Sequence, residues 1–157
     1  MKYIGIDPGT NTGIAVWDTE KQCFESIETK TLHKALWLVY DYYFMCNIKL
    51  FIEDPNTWKP FRGKKTSIAI IQGVGSVKRD FAIWKEFCED YNIPFVRTKI
   101  QGTMKKIRPD VFLHLTGWDK LTSEHGRDAA MLVFGMTNFQ TLACRIASEI
   151  LSKYRKL

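Results

Sequence analysis

The sequence predicts an α/β domain in which helices flank a five-stranded mixed sheet, with its elements in the order βββαβαβα. Three observations carry that prediction. Three short runs rich in β-branched and aromatic residues open the chain in succession, separated by turn-forming residues. Stretches with helical apolar periodicity then alternate with short apolar runs. Two of the apolar runs end in an acid, Asp7 and Glu53, at the strand ends where open α/β sheets present their ligands.

The elements follow in order. Tyr3 to Asp7 makes the first strand, and the turn Pro8-Gly9-Thr10-Asn11 folds it back into Thr12 to Trp17 as a hairpin. Cys23 to Thr29 forms a third antiparallel strand beyond the polar connection Asp18 to Gln22. Thr31 can cap a helix reaching about Cys46, with Leu32, Ala35, Leu36, Val39 and Phe44 on its apolar face. Ile48 to Glu53 is the fourth strand, parallel to the first because a helical crossover precedes it. After the polar, basic loop Asn56 to Lys65, a long helix runs from about Thr66 to Tyr91. Its residues Ile70, Val74, Val77, Phe81, Trp84, Cys88 and Tyr91 form an unbroken stripe suited to a core or a dimer seam. Gly73, Gly75 and Ser76 weaken an isolated helix, so their presence predicts a close backbone approach by a neighbouring element. Ile93 to Arg97 is the fifth strand. Thr98 to Gly126 is irregular and basic apart from one short helix at Pro109 to Leu115. A last helix runs from Asp128 to about Tyr154, turning Leu132, Met136, Phe139, Leu142, Ala143, Ile146 and Ile150 inward.

Composition narrows the function classes. Residues 1–157 fit a single domain, and 45% apolar with 13% aromatic residues is ample for one core. Lys and Arg number 23 against 17 Asp and Glu, a net charge of +6, and the isoelectric point near 9.1 favours a polyanionic partner. Cys23, Cys46, Cys88 and Cys144 have no Cys-x-x-Cys spacing, so neither a zinc site nor a disulfide framework is signalled. The chain enters a strand at once instead of opening with a signal segment, and no apolar run reaches membrane-spanning length. The expectation is a cytoplasmic protein with no membrane partner.

Alternate residues of a strand share a face, so Tyr3, Gly5 and Asp7 point one way, as do Lys49, Phe51 and Glu53. If the first and fourth strands are neighbours, Asp7 and Glu53 meet. His125 and Asp128, three apart, can project from one face of the last helix. Each alone has an ordinary explanation as a turn-forming acid, a polar histidine or an acid favoured at a helix N-terminus. Together Asp7, Glu53, His125 and Asp128 suit one or two hard divalent cations, Mg²⁺ or Mn²⁺, which take oxygen ligands and retain waters around substrate phosphate. Two such ions can activate water and stabilise the leaving oxygen in a displacement at phosphorus. The glycine-rich hairpin behind Asp7 would let a phosphate or metal approach the backbone. Two basic groups neighbour the acids in sequence, Lys59, Arg62, Lys64 and Lys65 in one and Lys105, Lys106 and Arg108 in the other. Both are candidates for DNA phosphate contact, with a solvated basic loop as the plain alternative. Trp58 and Phe61 either stack on unpaired bases or cap the core. His33 and His114 have no acidic company and read as structural.

The segments Gly5-Ile6-Asp7-Pro8-Gly9-Thr10, Ile52-Glu53, Gln72-Gly73-Val74-Gly75 and His125-Gly126-Arg127-Asp128-Ala129 span nearly the whole chain. In that order they resemble the RuvC-type Holliday-junction resolvases of the RNase H-like superfamily. The resemblance implies a five-stranded mixed sheet flanked by helices, a homodimer, and Mg²⁺- or Mn²⁺-dependent symmetric nicking of four-way DNA junctions. Asp7, Glu53 and Asp128 match the family's carboxylates, and His125 takes the remaining metal-site position, which is Asp in some members and His in others. The loop from Glu53 to Thr66 has its own sequence, and Lys99 to Arg108 matches the family's glycine-containing loop loosely. Compact members of this kind are often encoded by bacteriophages or mobile elements. Other readings compete. Asp7-Pro8-Gly9-Thr10 also fits the phosphate hairpin of actin-like ATPases and sugar kinases, which require two related domains. A catalytically weak nucleic-acid-binding module is disfavoured because clustered carboxylates repel unless metal or protons neutralise them. The same chemistry on RNA or on branched DNA in general fits the residues equally well.

Overall fold

The computed structural model describes residues 1–57, 67–100 and 104–137. Strands β1 (Lys2–Asp7), β2 (Asn11–Asp18) and β3 (Cys23–Thr31) form the opening meander, and helix α1 (Leu32–Met45) crosses to β4 (Ile48–Glu53). A short 3-10 turn at Pro55–Thr57 precedes helix α2 (Ile68–Asp90), followed by β5 (Phe95–Thr98), α3 (Pro109–Thr116) and α4 (Glu124–Met131). The sheet order is β3-β2-β1-β4-β5. The meander is antiparallel, whereas β4 lies parallel to β1 and β5 parallel to β4. The expected mixed five-stranded sheet flanked by helices is therefore present, with α3 as an element additional to the βββαβαβα order.

Strand periodicity sorts the core into two layers. Ile4, Ile6, Ile14, Val16, Ile48, Leu50 and Ile52 face α1 and α2, where they meet Ala35, Val39, Phe81, Trp84 and Cys88. On the opposite face Ala15, Trp17, Phe24 and Ile27 pack with Ile107, Phe112, Ala129, Ala130 and Val133. Each fully buried large apolar side chain contributes about 1.5–3 kcal/mol relative to exposure. Asp7 and Glu53 belong by parity to this second face, the one that α4 covers.

Two glycines set how closely α4 lies on the sheet. A Cβ on Gly5 would fall 2.0 Å from the Ala129 carbonyl oxygen, and one on Gly13 would fall 2.0 Å from that of His125. Helix backbone therefore rests directly on β1 and β2. The space at Gly13, in the hairpin behind Asp7, is filled by α4. Gly9 stays open, the nearest atom to its Cβ position being the Asn11 carbonyl oxygen at 3.8 Å.

Other boundaries differ for identifiable reasons. The last helix begins at Glu124 rather than Asp128, because Ser123 caps it by accepting a hydrogen bond from the Gly126 N–H. It ends at Met131, and the turn that follows brings Gly135 to φ 73. The Met136 carbonyl then accepts from Trp17 Nε1 (2.8 Å) and Gln22 Nε2 (3.0 Å). The remainder of that expected helix, with Phe139, Leu142, Ala143, Ile146 and Ile150, lies outside the described residues, as does Cys144. Strand β5 starts after Pro94, whose carbonyl accepts from Leu50 N, while Ile93 N is held by the Cys88 carbonyl at the end of α2. Phe44, expected on the buried face of α1, is exposed. The second half of α2 packs through Phe81, Trp84 and Cys88, but Tyr91, expected on the same stripe, is exposed, and the first half exposes Ile68, Ile70 and Ile71. A Cβ on Gly73 or Gly75 meets nothing within 4 Å, so the expected close approach is not made among the described residues. Among those residues no helix is long and apolar enough to cross a membrane.

Candidate active site

The parallel register pairs Ile6 with Ile52, so Asp7 and Glu53, one residue further on, end their strands side by side. From above, α4 brings His125 and Asp128 on successive turns. His125 Nδ1 lies 2.7 Å from Asp7 Oδ2. Asp128 Oδ1 accepts the backbone N–H of Lys106 at 2.7 Å, and Lys105 Nζ lies 2.6 Å from Glu53 Oε1. Asp7, Glu53 and Asp128 are 8%, 2% and 3% exposed.

Burial governs the electrostatics. It pushes the Asp7 carboxyl above its ordinary range, the hydrogen bond from His125 opposes the rise, and the nearby Glu53 charge adds to it. Asp128 is raised by burial too, against the Lys106 N–H and the charge of Lys105, with Glu53 and Glu124 adding to the rise. His125 moves up from 6.5, chiefly through its hydrogen bond to Asp7 and against its own partial burial. The cluster therefore favours added positive charge.

Among the described residues, no three His, Cys, Asp or Glu side chains converge closely enough to hold a metal ion as they stand. Glu53 is instead met by Lys105, Asp7 by His125, and Asp128 by the Lys106 N–H. The donor set still fits a hard divalent cation, being three carboxylates and an imidazole. Glu53 Oε2 is buried with no hydrogen-bond partner, an acceptor such an ion would satisfy.

No protein-family model and no curated protein sequence matches the chain. A solved structure of T. thermophilus RuvC in complex with a Holliday junction substrate does match, over 85% of this chain and 91% of that one. Its TM-score is 0.55 at 14% sequence identity. The fold is RNase H-like. At that identity the likeness concerns the fold alone.

Within this RNase H-like frame, the basic residues expected to contact DNA divide. Lys105 reaches inward to Glu53, Lys106 pairs with Glu124 at 2.9 Å, and Arg108 pairs with Asp110. Each of these three charges is answered by an acid of the same chain. Trp58, Lys59, Phe61, Arg62, Lys64 and Lys65 lie outside the described residues. Two roles lie outside the sequence expectations, those of the Arg127 side chain and of the Lys106 backbone. Arg127, almost fully buried, donates Nε to the Ile107 carbonyl (2.8 Å) and Nη1 to the Thr122 carbonyl (2.7 Å), tying the basic loop to α4. Lys106 adopts φ 58, which aims its N–H at Asp128. The signal for Arg127 was available: an arginine directly before a buried helical acid requires acceptors of its own.

Proposed function

We propose that this protein is a metal-dependent, structure-selective endodeoxyribonuclease that resolves four-way DNA junctions by paired symmetric nicks. The observations that carry the proposal are Asp7 and Glu53 ending neighbouring parallel strands, with His125 Nδ1 2.7 Å from Asp7 Oδ2 and Asp128 one turn further along α4, in a fold shared with RuvC in complex with a Holliday junction. Asp7, Glu53 and Asp128 would hold Mg²⁺ or Mn²⁺, with His125 completing the set. When bound, such ions activate water for in-line attack at phosphorus and stabilise the leaving oxygen.

The chain's own groups supply the rest. The three acids are buried at fixed strand and helix positions, so their orientation costs little at the moment of reaction. His125, half exposed, sets its Nδ1 2.7 Å from Asp7 Oδ2 at the rim of the cluster. The net charge of +6 draws a polyanion toward a site that is itself acidic.

A four-way junction has two equivalent strands to cut, which a two-fold homodimer meets with two identical sites. The first half of α2 suits the seam, since Ile68 is 75% exposed and Ile71 59%, and Gly73 and Gly75 leave its backbone open to close approach. The test is cleavage with Mg²⁺ of a synthetic four-way junction beside matched duplex, flap and RNA–DNA hybrid. Paired nicks confined to the junction are expected. Equal cutting of all four substrates would indicate a general nuclease, and tight junction binding without cleavage would indicate a binding module.

A further inference from the structure

The loop before α3 is fastened to α4 from two sides. Arg127 grips the Ile107 carbonyl, the Lys106 N–H grips Asp128, and the Ile107 side chain is buried in the core. Lys106 makes its contact from the left-handed region, which a lysine adopts only where its surroundings hold it there. None of these fastenings uses the Lys105 side chain. That side chain instead crosses to Glu53, placing Nζ 2.6 Å from Oε1. The partners differ in exposure: the Glu53 side chain is 2% exposed at a strand end, whereas that of Lys105 is 31% exposed on a long stem.

We propose that Lys105 is an exchangeable counter-cation of the carboxylate cluster: its ammonium neutralises Glu53 until a divalent ion takes that carboxylate, and then turns outward to DNA phosphate. The inference rests on the metal-site reading given above. A buried acid left without a partner is strongly destabilising, so a cluster of three acids requires positive charge before any metal arrives. Lysine suits an exchangeable role better than arginine, because its ammonium is a compact charge on a flexible stem with three rotatable donors. The outward turn leaves the loop in place, since Arg127 and the Lys106 N–H hold it independently. The incoming ion and the departing ammonium compete for one oxygen atom, so metal binding and phosphate binding by Lys105 are coupled.

Mn²⁺ titration by calorimetry of the wild type, Lys105→Met and Glu53→Gln tests this, with a thermal melt of each. Lys105→Met keeps the apolar stem and removes the competitor. It is expected to bind Mn²⁺ about tenfold more tightly, equivalent to ~1.4 kcal/mol and to the scale of one hydrogen bond to a charged group. Addition of Ca²⁺ should tighten wild-type binding to a synthetic four-way junction, and Lys105→Met should lose that gain. Should Lys105→Met fail to fold, Lys105→Arg asks the question in reverse: a guanidinium held bidentately on Glu53 should weaken Mn²⁺ binding. If Lys105→Met binds Mn²⁺ no more tightly than the wild type while Glu53→Gln loses binding, Lys105 is a fixed ion-pair partner and the exchange is overturned with the metal site intact. An equal Ca²⁺-dependent gain in both proteins overturns the transfer to phosphate. If the wild type binds no Mn²⁺, or Glu53→Gln binds it unchanged, the metal-site reading fails and the exchange falls with it.

Discussion

Gly13→Ala isolates the feature on which the site's geometry depends. A Cβ at this position would lie 2.0 Å from the His125 carbonyl oxygen, 2.4 Å from its carbonyl carbon and 3.1 Å from Gly126 N. All three are backbone atoms, so no side-chain rotation relieves the overlap. To restore contact at about 3.4 Å, the N-terminal turn of α4 must lift by roughly 1.4 Å or β2 must recede. Overpacking of this kind costs about 1–3 kcal/mol. For a chain of this size that lowers the melting temperature by roughly 2–12 °C. The larger effect falls on His125 and Asp128, which move with the turn, since a displacement of about 1 Å at a reacting centre can cost about a hundredfold in rate. Thermal melts and junction nicking by Gly13→Ala should therefore show moderate destabilisation with a far greater loss of cleavage. Gly9→Ala, which enters open space, should nick close to wild-type rate. A Gly13→Ala protein with wild-type melting and nicking would refute the claim that this glycine seats α4 on the strand ends.

Three further outcomes follow from the same geometry. Asp7→Asn should abolish cleavage while leaving junction binding intact or tighter, because it removes a ligand charge and with it repulsion toward phosphate; gel shift and nicking on one preparation decide it. In metal-free protein the His125 imidazole should titrate above 6.5 by NMR and fall back toward that value in Asp7→Asn. Since its folded value is raised, His125 contributes stability that is fully present below about 6.5 and lost as pH rises through the folded value, so melts taken across that window should decline in wild type and flatten in Asp7→Asn. Ile68→Glu combined with Ile71→Glu should convert a dimer to a monomer in sedimentation without lowering the melting temperature of the fold, because both side chains are exposed in the single chain.

The sheet and its acids were legible because strand parity is a local property. Tyr3, Gly5 and Asp7 had to share a face, and the helical crossover made β4 parallel to β1; that the two strands are neighbours, which sets Glu53 beside Asp7, is visible only in the sheet order. The packed half of α2 was legible for the same reason, through Phe81, Trp84 and Cys88. What escaped depended on partners distant in sequence. Nothing around Gly13 announces that the backbone of His125 fills its missing side chain, and the Lys105 to Glu53 contact joins residues 52 apart. Lys105 therefore read as one more basic loop residue beside Lys106 and Arg108. The start of α4 was misplaced although its signal was present: Ser123 is a good capping residue, but Asp128 drew the boundary to itself as an acid near an apolar run. Gly73 and Gly75 read as a packing contact, and no neighbour among the described residues meets them.

Asp7, Glu53, His125 and Asp128 are proposed to form one metal-dependent site for cutting branched DNA. Strand-resolved cleavage of a synthetic four-way junction, with Mn²⁺ and with chelator, by wild type and Glu53→Gln tests it most directly. Nicks at symmetric positions in two opposed strands are expected with wild type and Mn²⁺, and none with chelator or in Glu53→Gln. Cleavage that persists in Glu53→Gln, or in chelator, would contradict it.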